Sequence, residues 1–229
     1  MYRNFTAKDF SRQDEADDAN FYAVPRMVVH LDDKATSRVK DILRRYMPPM
    51  NIRVLDLMSS FRSHLPEDHP YREVIGLGMN AAEMQANPQL NRFIVHDLNK
   101  HPQMPFSIGY FDVVVNIVSV QYLTQPVYIF REVARILRPG GVSVVVFSDR
   151  MFPTKTVRIW REGDDESHIA LVQEYHRATG GFTNLQVERY TGGNSSWFHS
   201  GQDPVFAVIG TRINNTTNPL PRSTNPLPR

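Results

Sequence analysis

Phe111-Asp-Val-Val-Val-Asn116, Glu132-Val-Ala-Arg-Ile-Leu-Arg-Pro-Gly-Gly141 and Val142-Ser-Val-Val-Val-Phe147 stand together within residues 111–147. The two hydrophobic runs are continuous rather than alternating, as in parallel strands covered on both faces. Between them Val127 to Leu137 reads as a helix. Phe130, Val133, Ala134 and Leu137 share one face, and Arg131, Glu132, Arg135 and Arg138 point away from it. Pro139-Gly-Gly141 stops the helix. One of its glycines is expected at positive φ, because the chain must turn there into the next strand.

The same rhythm extends outward. Upstream, Val39, Ile42, Leu43 and Tyr46 repeat at helical spacing until Pro48-Pro49. Ile52–Leu57, Val74–Gly78 and Phe93–His96 read as three further buried strands. Downstream, a helix is expected over about Ser167 to Ala178. Asn184–Arg189 and Val205–Thr211 then follow as strands with only the loop Tyr190–Asp203 between them. A loop does not readily return a parallel strand, so this pair is expected as an antiparallel hairpin. The chain therefore reads as α/β, with a mostly parallel seven-stranded sheet closed by an antiparallel edge hairpin. The domain is expected over residues 25–212, behind a flexible N-terminal arm over 1–24. Thr217-Asn-Pro-Leu-Pro-Arg222 recurs as Thr224-Asn-Pro-Leu-Pro-Arg229, so residues 213–229 are expected to form a disordered Pro-rich tail.

Composition removes several function classes. There is no cysteine among 229 residues, which excludes disulfides, a thiolate nucleophile and Cys-based metal sites. The histidines lack paired metal-ligand spacing, so no metal is expected. The formal charge of +2 rests on Arg222 and Arg229 of the tail. The neutral body gives no basic footprint for nucleic acid. No apolar run reaches membrane-spanning length. Residues 1–21 are polar and acidic, unlike a signal or transit peptide, so a cytoplasmic location is expected. A nicotinamide dehydrogenase would need Gly-x-Gly-x-x-Gly after the first strand, and Val54–Pro66 does not supply it.

Phe111-Asp-Val-Val-Val115, its lead-in Met104-Pro-Phe106, and Glu132–Gly141 resemble motifs of the class I S-adenosylmethionine-dependent methyltransferases, in particular the type 11 branch. The resemblance covers roughly Val54 to Ser148. It implies a Rossmann-like class I methyltransferase fold and S-adenosyl-L-methionine as cofactor. A narrower resemblance links Leu55–Ser60, Ser63–Pro66, Gly76–Asn80, Phe21-Tyr22, Pro25-Arg26 and Asp97–Asn99 to a methyltransferase-like group of photosynthetic organisms.

Carried onto this chain, the resemblance implies a cofactor site at the carboxyl ends of the strands. Asp97 would accept from the adenine amino group, beside the Leu98 N–H; the alternative for Asp97 is a turn cap. Met79 would lie under the adenine. Asn116, after strand four, belongs to the same set. Two departures stand out. The first turn, Asp56-Leu-Met-Ser-Ser-Phe-Arg-Ser-His64, has no glycine, leaving Ser59 and Ser60 to fill its role and Asp56 to meet the ligand ammonium. Arg62 and His64 are candidates for the ligand carboxylate. The family's ribose-binding acid falls on Gly78, with Asn80 as a substitute two residues on.

Methyl transfer asks mainly for alignment and removal of a proton. Catalytic candidates are His64 and Tyr122, with Asn116, Ser119, Gln121 and the arm residues Tyr22 and Arg26 on the acceptor side. Two functions follow: methyl transfer to a small-molecule acceptor, or a catalytically inactive methyltransferase-like binding or interaction module. The oligomeric state has no signature in the sequence.

Overall fold

The computed structural model describes residues 5–191 and 202–214. The Pro-rich tail beyond Asn214, and most of the loop between Tyr190 and Asp203, lie outside the described residues. The elements are α1 (Asp18–Phe21), α2 (Asp33–Tyr46), β1 (Ile52–Leu57), β2 (Tyr71–Gly78), α3 (Ala81–Gln85), β3 (Arg92–Val95), β4 (Phe111–Ile117), α4 (Pro126–Ile136), β5 (Leu137–Phe147), α5 (Arg158–Arg161), α6 (Asp165–Arg177), β6 (Phe182–Tyr190) and β7 (Val205–Arg212), with 3-10 turns at Ala7–Phe10 and Val120–Tyr122.

The seven strands lie in the order β3-β2-β1-β4-β5-β7-β6. β1 pairs in parallel with both β2 and β4, and β4 with β5. β7 runs antiparallel between β5 and β6 and closes the sheet as the expected hairpin. The continuous apolar runs have a direct cause. Val113 and Val115 of β4 pack with Val39, Ile42 and Leu43 of α2 on one face. Val114 packs with Ile129, Phe130 and Val133 of α4 and Val172 of α6 on the other. In β5, Val144 and Val146 join the first core while Val145 and Phe147 join the second. Val113–Val115 and Val144–Phe147 are all buried, so alternation disappears.

The Pro-Gly-Gly turn does more than stop a helix. α4 ends at Ile136, and Leu137 already pairs with Phe111, so Pro139–Gly141 forms an irregularity inside β5. Gly140 adopts φ +73°, as the reversal requires.

The N-terminal arm departs from the expected loose segment. Phe5 and Phe10 pack on Tyr175, with ring centroids 5.7 and 6.3 Å away. Arg12 donates to both oxygens of Asp18, at 2.6 and 2.8 Å. Lys155, only 1% exposed, lies 3.1 Å from both Asp14 and Asp18 and donates to the Ala16 carbonyl at 2.7 Å. Part of the arm's acidic run is thus the counter-charge of a buried lysine. A buried ammonium without such partners would cost several kcal/mol.

Candidate cofactor and acceptor site

The strand order reverses between β1 and β4, the switch point of an open α/β sheet. A cavity of about 600 Å³ opens there. Its walls come from the carboxyl ends of β1 to β4, from residues 26–32 and from Arg150, Met151 and Phe152. That volume lies within the usual range for small-molecule sites.

The first turn lacks glycine and keeps a glycine-like backbone. Met58 sits at φ 62°, and two other cavity residues, His64 (53°) and Val118 (52°), share the left-handed region. A β-branched residue there is a genuine outlier, and each such residue stores on the order of 1–3 kcal/mol of strain. The turn is held by serine hydroxyls. Ser59 and Ser63 both donate to Asp56 Oδ2, at 2.5 and 2.7 Å. Burial pushes the Asp56 carboxyl up to about 6, against the opposing pull of those two hydrogen bonds.

Gly78 is fixed by close approach. A Cβ there would collide with the Ser59 carbonyl oxygen and lie 3.1 Å from its carbon and 3.2 Å from Met84 Sδ. No acid can stand at the ribose position without moving the first turn. Asn80 is not a free substitute: its Oδ1 accepts from Glu83 N–H at 3.0 Å, and its Nδ2 donates to the Tyr22 carbonyl at 2.8 Å. The buried carboxylate of this wall is Glu83, which accepts from the Ser60 hydroxyl at 2.5 Å and from the Arg26 N–H at 2.7 Å.

Asp97 takes the turn-cap role through one oxygen and leaves the other without a partner among the described residues. Oδ1 caps the following turn, accepting from Asn99 N–H at 2.9 Å and Lys100 N–H at 3.2 Å. Oδ2 is enclosed and has no partner. A buried acceptor left empty costs about 1–3 kcal/mol, and more when charged, so it points to a missing donor. Asn99 ties this corner to the arm and the acceptor side through Asp18 (2.9 Å) and the Tyr122 carbonyl (3.1 Å).

On the acceptor side the Tyr122 hydroxyl accepts from Phe152 N–H at 2.9 Å, and burial pushes its pKa up to about 12. Tyr122 is a hydrogen-bonding group at neutral pH and not a base. Burial, helped by Lys40, holds His64 down to about 4, so its ring is neutral and disfavours the charged form. The Ser119 hydroxyl is buried without a partner.

The structure therefore gathers Asp56, Ser59, Ser60, Gly78, Met79, Asn80, Asp97 and Leu98 around one cavity with His64 and Tyr122. Asn116 is a correction. It is absent from the cavity wall, and its Nδ2 donates to the Leu57 carbonyl at 3.1 Å, joining β4 to β1. Gln121 Nε2 likewise donates to carbonyls, those of Val118 and Arg150, both at 3.1 Å, while its Oε1 is buried without a partner among the described residues. Glu83, Asp18, His30 and Phe152 are cavity residues that sequence reading missed. Glu83 had a signal: Asn80-x-x-Glu83 is a helix-capping pattern, whose acid here turns to Ser60 and Arg26 instead of to the cap. Among the described residues no cluster of His, Asp and Glu forms a metal site, and no helix is long and apolar enough to cross a membrane.

Comparison with known proteins agrees with this geometry. Residues 61–145 match the family model of a methyltransferase domain. No curated protein matches the sequence. Among solved structures, the PH0226 protein of Pyrococcus horikoshii is 20% identical, with a TM-score of 0.56 over 84% of this chain and 98% of that one. An S-adenosylmethionine-dependent methyltransferase of Mesorhizobium loti is 16% identical, with a TM-score of 0.52 over 75% and 96%. Phosphoethanolamine N-methyltransferase 2 of Haemonchus contortus, solved with S-adenosyl-L-methionine, is 14% identical, with a TM-score of 0.53 over 77% and 52%. With its sheet order and switch-point cavity, the chain has the Rossmann-like fold of the class I S-adenosylmethionine-dependent methyltransferases, and residues 61–145, within that fold, are similar to a methyltransferase domain.

Proposed function

We propose that the protein transfers a methyl group from S-adenosyl-L-methionine to a small-molecule acceptor. The observation that carries this reading is the enclosed, partnerless Oδ2 of Asp97 at the switch-point cavity. The family resemblance gives this residue the adenine amino group as its donor, and none of the described residues donates to it. Leu98 supplies backbone beside it, and Met79 an apolar wall. Asp56 offers the charge for the ligand ammonium. The ribose diol receives no carboxylate from residue 78.

The cofactor supplies a methyl group on a sulfonium, already a good leaving group. The chain's own residues hold the reactants, exclude water and accept a proton. His64, neutral at the cavity wall, is the candidate base, and it acts as one where a bound acceptor or cofactor offsets the burial that depresses its pKa. Tyr122 and Ser119 orient the acceptor by hydrogen bonds.

Thermal melts with S-adenosylmethionine and S-adenosylhomocysteine test this reading. Ligand at a hundredfold excess over Kd stabilises by about 2.7 kcal/mol. In a domain of this size that raises Tm by roughly 5–10 °C. Saturable binding of both ligands with no turnover on any small-molecule acceptor would favour the inactive binding module instead.

A further inference from the structure

Arg26 is held from several directions and still has one nitrogen to spare. Its guanidinium carbon lies 4.4 Å from the Phe21 ring centroid, 5.3 Å from Phe152 and 5.7 Å from Tyr22. Nη2 donates to the Phe21 carbonyl at 2.8 Å, and the backbone N–H donates to Glu83. Nη1 is enclosed and has no acceptor. Arg26 lines the cavity, and its guanidinium makes no ion pair with a carboxylate among the described residues. Of the two other cavity arginines, both exposed, Arg150 is paired with Asp203 at 2.7 Å, and Arg62 lies over the Phe61 ring and donates to the Phe61 carbonyl at 3.1 Å. A guanidinium fixed by rings and a carbonyl, with an unfilled donor, is preorganised for an anion.

The chain around Arg26 is the second observation. Val24, Met27, Val28 and Val29 are 69%, 46%, 54% and 49% exposed, an apolar segment of the kind that folded proteins normally cover. Val28 and Val29, with Met151 across from them, line the same cavity. An unfilled cationic donor and an apolar wall thus meet at one mouth.

We infer that the acceptor is an amphiphilic anion, a carboxylate or phosphate carried on an alkyl or aryl body. The anionic group takes Arg26 Nη1, and the apolar body lies against Val28, Val29 and Met151. This inference rests on the methyltransferase reading only in calling the ligand an acceptor; the anion site itself stands on Arg26 and its surroundings.

Calorimetric titration with octanoate, octyl phosphate, octanol and octylamine tests it on the full chain. The two anions should bind saturably, one per chain, and at least tenfold more tightly than octanol or octylamine; the better of the two identifies the head group. Each added methylene between hexanoate and decanoate should improve affinity about fourfold, the equivalent of about 0.8 kcal/mol. Arg26→Gln should weaken octanoate at least tenfold, while Arg26→Lys retains part of the affinity. Val29→Asp, at an exposed position that does not hold the fold, should flatten the chain-length dependence. Octanol binding as tightly as octanoate, absence of saturable anion binding, or full affinity in folded Arg26→Gln overturns the inference. S-adenosylhomocysteine is titrated in parallel. Its failure beside successful octanoate binding removes the methyltransferase reading alone, and the reverse result removes this inference alone.

Discussion

Replacing Gly78 tests the close approach on which the first turn depends. The Cβ of Gly78→Ala would overlap the Ser59 carbonyl oxygen, a backbone atom with no rotamer to escape into. The turn must shift, and two hydrogen bonds shift with it: Ser59 N–H to the Leu77 carbonyl at 2.9 Å and the Ser59 hydroxyl to Asp56 at 2.5 Å. Overpacking costs about 1–3 kcal/mol. A weakened neutral bond adds roughly 0.5–1.5, and one to a charged group roughly 1.5–3. Partial relaxation leaves an expected loss of about 3 kcal/mol, or a Tm lower by about 6–12 °C. Urea denaturation of wild type, Gly78→Ala and Gly78→Asp measures it. Gly78→Asp should be at least as unstable and should not gain cofactor affinity, although it restores the family's ribose acid. A Gly78→Ala variant within about 0.5 kcal/mol of wild type, or a Gly78→Asp variant that binds S-adenosylhomocysteine more tightly, would refute the reasoning.

Other outcomes follow from the same geometry. At Val118, φ 52° reverses the usual order, so Val118→Gly should be about 1 kcal/mol more stable than Val118→Ala by chemical denaturation. Lys155→Met removes a buried cation from Asp14 and Asp18; with Arg12 still holding Asp18, it should cost about 1.5–3 kcal/mol and expose residues 5–22 to limited proteolysis. Asp56 and His176 pull the pH dependence in opposite directions. The raised carboxyl of Asp56 makes the folded state bind a proton that the unfolded state has lost, so its contribution falls between about pH 4 and 6. His176, held at about 4 by burial, must stay neutral while the unfolded ring charges, so its contribution is lost as pH falls through that same window. Asp56→Asn should therefore steepen acid destabilisation between pH 6 and 4, which melts across that range will show.

The fold was largely legible because the sheet is covered on both faces: Val113–Val115 and Val144–Val146 leave no polar alternation to confuse the reading. The two glycine motifs were legible to different depths. Gly140 is read from a local reversal, whereas the need for Gly78 comes from Ser59, nineteen residues away, and appears only when β1 and β2 are paired. Asn116 was misplaced for the related reason that a strand-end amide can face the ligand or the neighbouring strand, and here it takes the Leu57 carbonyl. The arm was hidden because its acidic run has its partners, Lys155 and Arg158, far along the chain.

Calorimetric titration of wild type and Asp97→Ala with S-adenosylhomocysteine bears most directly on the proposed function. Wild type should bind one equivalent saturably. Asp97→Ala should bind about tenfold more weakly, the loss of roughly 1.4 kcal/mol expected for one hydrogen bond to Oδ2, with its fold confirmed by an intact circular dichroism spectrum. A wild-type chain that gives no heat of binding, and whose Tm is unmoved by millimolar S-adenosylmethionine, would contradict a methyltransferase site at Asp97.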